Sequence, residues 1–205
     1  MLTYDRSALE KRLAGIPERL RVLFAAAVAE RLFPHAERFF RARDPETSDR
    51  LHEALELLWK YGGGDREEDA EREDALLACE TSIRTAADEG TDDALFAENA
   101  AAAIAYGLRA MRSSDPREPG WAAERAYDTV DYFVLMEDAD RGVEWSEEQI
   151  LSHTVVQREL QRQRDDIAAL EAMAANGGRD EGEIGRLRDN ARAQALSIFL
   201  ERPDR

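Results

Sequence analysis

Three histidines, one cysteine and 44 carboxylates are the side chains in this 205-residue chain best suited to do chemistry. A di-iron centre in a helical bundle needs two Glu-x-x-His units and further carboxylates. The histidines are His35, His52 and His153, and the residues three positions before them are Leu32, Asp49 and Ile150. Only one of these is acidic, so no such centre is expected. Asp49, His52 and Glu56 share a helical face and could hold one ion, but a surface charge pair is the plainer reading. No metal site and no cofactor is assigned. Cys79 lies in the apolar stretch 75–79, next to Glu80. A reactive thiol needs positive charge nearby, and Glu80 supplies the opposite sign. Cys79 therefore reads as a small buried apolar residue. A lone cysteine forms no intrachain disulfide and fits a reducing, cytoplasmic setting.

The carboxylates fall into patterns. Glu67-Glu68-Asp69-Ala70-Glu71, followed by Glu89-Gly90-Thr91-Asp92, resembles the Glu-Glu-x-x-Glu and Glu-x-x-Asp pair of helical nucleotide pyrophosphohydrolases. Magnesium there sits between carboxylates and substrate phosphates, because hard cations prefer oxygen ligands. With 44 acids in 205 residues, three acids at fixed offsets arise by chance at roughly two places in the chain. The second half also straddles Gly90, where both carboxylates need not face one way. A carboxylate- and Mg-dependent nucleotide-processing bundle, or one that binds a small ligand, is thus the alternative reading. No Gly-x-Ser-x-Gly elbow occurs. Glycines 62–64 lack the Lys-Ser/Thr of a phosphate loop and are followed by acids.

The charge balance narrows the partners. Lys and Arg number 28 against 44 acids, a net of −16 with an isoelectric point near 4.7. Nucleic acid and anionic membrane surfaces both call for clustered cations, so neither is expected as a partner. No apolar run approaches the roughly 20 residues of a membrane span. The first twelve residues carry Asp5 and Glu10 and no apolar core, so no signal peptide is expected. Residues 1–43 hold nine Lys/Arg and five acids, which leaves −20 on the remainder. Seven acids crowd residues 65–74, among them Glu67, Glu68 and Glu71. Glu124, Asp128 and Asp131 fall at i, i+4 and i+7 and form an acidic stripe. These six residues are the candidate interaction surface for a basic protein partner, with fast, salt-sensitive association. The first functional reading is therefore a non-enzymatic interaction module, for instance an immunity- or inhibitor-like protein that neutralises a cationic partner. A homodimer kept soluble by its acids is a third.

The elements that would carry these residues are helical. Ala, Leu, Glu and Arg dominate and alternating β-branched runs are absent, which predicts an all-α protein, a single-domain multi-helix bundle of about seven to nine helices. Breakers divide it into a short helix at 5–14, a helix at 17–33 broken or kinked at Pro34, and a short continuation at 35–43. Then come helices at 47–59, 65–87, 91–112 and 118–137, with Gly142 marking a loop. Ser146 starts the longest helix, to about 175, and a last helix occupies 180–200. The end helices 5–14 and 180–200 are expected to pack on the bundle. Ala97, Ala101, Ile104, Leu108 and Met111 repeat at 4-3 spacing. So do Ala123, Tyr127, Val130 and Val134, and so do Val156, Leu160, Gln163, Ile167 and Leu170. Such spacing marks the seams of near-antiparallel helices.

Five segments in order resemble the YjaG-like bacterial family, domain of unknown function 416. They are Ala29-Glu30-Arg31-Leu32-Phe33-Pro34, Leu55-Glu56-Leu57-Leu58-Trp59, Glu98-Asn99-Ala100, Ala122 through Tyr127 with Val130-Asp131, and His153 through Leu160 with Gln163. Ala29 stands where that family has cysteine, Asn99 where an acid is common, and Thr154 where proline is usual. The resemblance implies an all-helical bundle and no established activity. Glu30, Arg31, Glu98, His153 and Gln157 are its polar residues and the candidates for one polar pocket among the helices, a default small-molecule site. For Glu30 and Arg31 the plainer expectation is a structural ion pair that fixes the kink at Pro34.

Overall fold

The structure, a computed structural model, describes residues 1–66, 68–113, 115–137, 144–177 and 180–200, with side chains to residue 195. Among these residues there are nine helices and no strand. They are α1 Arg6–Ala14, α2 Glu18–Arg41, α3 Pro45–Gly63, α4 Asp69–Glu89, α5 Asp92–Ala110, α6 Arg117–Glu137, α7 Glu147–Ser152, α8 Thr154–Ala175 and α9 Glu181–Leu200. None of them is long and apolar enough to cross a membrane.

α2 is the axis of the bundle. Residues 22–33 are buried without interruption. A helix buried on all sides must be surrounded, and α2 packs against α3, α5, α6, α8 and α9. Ala25, Ala26, Ala27 and Ala29 supply small side chains on it, and Ala97, Ala100, Ala101 and Ala103 do the same on α5, so the two helices approach closely. A second apolar cluster joins Phe96, Val130, Val134, Val156 and Leu160 at the far end of α6 and the start of α8. The 4-3 seams read from the sequence are buried, apart from the half-buried Tyr127.

The structure corrects several boundaries. α2 continues through Pro34 rather than breaking there. Proline removes the amide that would bond the Glu30 carbonyl, but residues 22–33 before it and Phe39 and Phe40 after it are all anchored in the core. α3 begins at Pro45 rather than 47. Pro45 is at the first turn, where its missing amide costs nothing, and Thr47 Oγ1 donates to the Asp44 carboxylate at 2.7 Å. α4 begins at Asp69 rather than 65. The segment expected to be the longest helix is two helices, because His153 is extended with ψ 140° and ends α7 while starting α8. Its amide donates to the Ile150 carbonyl, its own carbonyl accepts from Gln157 N, and its Nδ1 accepts from Val155 N at 3.4 Å. Gly142 lies outside the described residues.

Two adjacent glycines give opposite outcomes. A Cβ at Gly62 would sit 2.3 Å from Leu23 Cδ2 and 2.5 Å from Leu23 Cγ, whereas a Cβ at Gly63 meets nothing within 4 Å. Gly62→Ala is expected to lower stability by about 1–3 kcal/mol through overpacking. Gly63→Ala, by contrast, should be neutral or gain up to about 1 kcal/mol from helix propensity. Urea denaturation of the two variants measures both.

Candidate functional site

Two charged clasps join α2 to its neighbours, on two different faces of that helix. The first is built on Arg31, which is 0% exposed. A guanidinium cut off from water must be matched by buried acceptors. Its Nη1 donates to Asp166 Oδ2 at 2.6 Å and its Nη2 to Glu159 Oε1 at 3.1 Å, both on α8 and both buried. Gln163, between them on the same helix, donates from Nε2 to Glu159 Oε1 at 3.0 Å and to the Ala123 carbonyl of α6 at 3.1 Å. One cation thereby ties α2 to α8, and one amide extends the tie to α6. Burial alone would lower the Arg31 pKa, but Glu159 and Asp166 outweigh it and raise it. For Asp166 burial dominates and pushes the carboxyl up, with Arg31 pulling it part of the way back.

The second clasp is built on Glu30, one residue along and turned to other neighbours. It accepts from Trp59 Nε1 on α3 at 2.6 Å and from Arg192 Nε on α9 at 2.8 Å. Arg188 Nε lies 3.5 Å from the same carboxylate, while its other end pairs with Glu56. The Arg188 guanidinium also lies over the Trp59 ring, 5.4 Å from its centroid. α9 is held by this polar set together with Leu187, Ala191 and Ala195.

Glu30, Arg31, Glu98, His153 and Gln157 thus do not gather in one pocket. Glu30 and Arg31 serve different clasps, and neither pairs with the other. His153 caps α8 and meets the Trp145 ring edge-on at 5.8 Å. Gln157 holds the N-terminal segment, accepting from Leu2 N at 2.7 Å and donating to Leu2 O at 2.8 Å. Glu98 is half-buried on α5, beside Asn99, whose Nδ2 donates to Thr129 Oγ1 of α6. Glu159, Asp166, Arg188 and Arg192 are functional to the architecture and were not singled out from sequence. The available signal was Glu159, Gln163 and Asp166 at i, i+4 and i+7, polar residues that interrupt an apolar seam.

The acidic candidates divide. Glu124 lies 3.4 Å from Arg6, and Asp128 pairs with Arg125 at 2.7 Å. Asp131 accepts from the Tyr127 hydroxyl, and the Tyr127 ring stacks on Tyr4 at 4.6 Å. α1 and the segment before it thus half-cover this stripe, and burial raises the pKa of both Asp128 and Asp131. Glu68 and Glu71, at the start of α4, are exposed instead. Glu67 lies outside the described residues. A groove of about 550 Å³ runs between α3 and α4, with Glu53, Glu56, Glu71 and Asp74 against Arg50 and Lys60, over a floor that includes Leu57 and Ala78.

The pyrophosphohydrolase-like pattern does not assemble. Glu71 and Glu89 stand at opposite ends of α4, about 27 Å apart at the helical rise. Among the described residues no three His, Cys, Asp or Glu are placed to hold a metal ion. In the Asp49, His52 and Glu56 set, Asp49 pairs with Arg41 at 2.7 Å, and Glu56 is shared by Arg188 and by His52 at 3.6 Å. Cys79 is fully buried and its thiol is pushed up to about 12 by burial, then by Glu80.

The pattern of the family described as protein of unknown function, DUF416, matches residues 8–199. The chain belongs to that family. It is also similar to the crystal structure of a DUF416 family protein from Shewanella baltica OS155, with 21% identity, a TM-score of 0.68, and coverage of 92% of this chain and 93% of that one. No curated protein matches the chain. All five family-like segments supply buried polar contacts. Arg31 meets Glu159, Glu30 meets Trp59, Asn99 meets Thr129, and Gln163 meets Ala123. Thr154, where proline is usual, occupies the first position of α8, the helical site that proline suits best.

Replacing Arg31 leaves two buried carboxylates unmatched. Arg31→Met is expected to cost about 3–5 kcal/mol at pH 7, with a smaller deficit in mild acid, where the Asp166 carboxyl, pushed up by burial, takes up a proton; urea titrations at two pH values measure both. Asp131 gives the opposite sign. Its folded pKa is raised, so its contribution is favourable only when protonated and is lost as pH rises through that pKa. Asp131→Asn, which still accepts from Tyr127, should therefore raise the melting temperature at pH 7 and lose that advantage near pH 3.

Proposed function

We propose that this DUF416 protein is a non-enzymatic interaction module that receives a basic segment of a partner protein on the acidic face at the start of α4. One observation carries the reading: the buried charges of Glu30 and Arg31 are matched across helices, while Glu68, Glu71 and Asp74 stand exposed on one end of a surface helix. The adjoining α3–α4 groove presents four carboxylates against two cations. Its apolar floor suits the aliphatic stem of a Lys or Arg side chain, with the charged head among the carboxylates. An immunity- or inhibitor-like role toward a cationic protein is the concrete form of this function. The single, deeply buried thiol supports a cytoplasmic setting.

Affinity capture from the source cell extract tests the reading. A specific partner is expected at about 50 mM salt and should be released at several-fold higher salt, because exposed charge pairs are screened. Glu68→Lys with Glu71→Lys and Asp74→Lys should abolish its capture, while Asp131→Asn should retain it. Capture that is indifferent to both salt and the charge reversals removes the proposal.

A further inference from the structure

A separate cavity of about 300 Å³ lies on the other side of the bundle, between residues 1–12 and α8. That is the volume of roughly ten waters, hence of a molecule with about ten non-hydrogen atoms. Leu2, Leu9, Leu160 and Ile167 give it an apolar lining. Among the polar groups beside them, three have bonding capacity left. Arg164, on α8, is an exposed cation without a partner among the described residues. Asp5 uses one carboxylate oxygen to cap α1 at Ala8 N, 2.9 Å away, and has the other to offer.

Gln163 is the decisive one. It is only 4% exposed and lines the cavity. Both hydrogen bonds of its amide leave from Nε2, to acceptors on α6 and α8. Those two acceptors fix which way the amide faces. Its Oε1 accepts nothing among the described residues and is left as an acceptor accessible at the cavity. Arg12, the other cation at this cavity, is already taken by a two-pronged pair with Glu171 at 2.8 and 2.9 Å.

We propose that this cavity binds a free α-amino acid with an apolar side chain. Its carboxylate pairs with Arg164, its ammonium donates to Gln163 Oε1 and Asp5, and its side chain lies on Leu9, Leu160 and Ile167. A simple anion satisfies only Arg164, and a simple amine only Asp5 and Gln163. The zwitterion satisfies all three. The ligand bridges the N-terminal segment and α8, in parallel with the Gln157–Leu2 bonds.

Calorimetric titration and thermal shift with L-leucine, L-methionine and L-phenylalanine test the site. 4-Methylpentanoate, which lacks the ammonium, and isoamylamine, which lacks the carboxylate, are the controls. Saturable binding of at least one amino acid is expected, with a raised melting temperature. Arg164→Gln should weaken it by about tenfold or more through loss of a charge-assisted pair. Ala8→Trp, at an exposed position on the cavity wall, should block it by filling the space. Circular dichroism confirms that both variants fold. The proposal is overturned if none of the three amino acids binds at 10 mM, if binding survives both substitutions, or if either control binds as tightly as the amino acids.

Discussion

A guanidinium with no access to water sits at the centre of this protein, and the arrangement of helices follows from the need to match it. Arg31 could be solvated only by unfolding, so α8 must bring Glu159 and Asp166 to it in a fixed register. Buried ion pairs contribute little net stability against apolar residues of the same size, because desolvation offsets the attraction. Their effect here is on alternatives. A slip of α8 by one turn would strand three charges in an apolar interior, which the apolar seam Val156, Leu160, Ile167 and Leu170 alone would tolerate far better. Gln163 then carries the same constraint to α6 through Ala123.

Glu30 repeats the logic on another face of α2. Successive residues of a helix point about 100° apart, so the pair Glu30-Arg31 serves two directions at once, α3 and α9 on one side and α8 on the other. The continuous passage of α2 through Pro34 belongs to the same design. With residues on both sides of the proline buried, the loss of one backbone bond is local. The helix stays whole because every neighbouring helix is packed along it.

This distribution of charge bears on function. Most of the polar residues that the five family-like segments share are engaged in joining helices, and the matching fold of the Shewanella baltica protein has the same architecture at 21% identity. At the periphery, Glu68, Glu71 and Asp74 stand exposed at the start of α4, and the segment before α1 lines a cavity against α8. The stripe of Glu124, Asp128 and Asp131 resembles the α4 acids in sequence, yet α1 half-covers it and Arg6 answers part of its charge.

The helical class, the seams and most helix ends were legible in the sequence, because periodicity, glycines and capping residues act over a few neighbouring positions. Gly64 and Gly90 end their helices in left-handed conformations, and Thr91 caps α5 at Ala94 N, as local rules require. The break at His153 was not legible, since nothing in 146–175 forbids one continuous helix; the caps that His153 makes appear only once α7 and α8 have separated. The polar residues of the family-like segments were visible, but not their partners. Arg31 and Glu159 are 128 positions apart, and Glu30 and Arg192 are 162 apart. Composition determined that this chain folds as packed helices with a large surplus of acid. Only the tertiary structure decided which charges are enclosed and matched and which face solvent, because burial is set by neighbours distant in sequence.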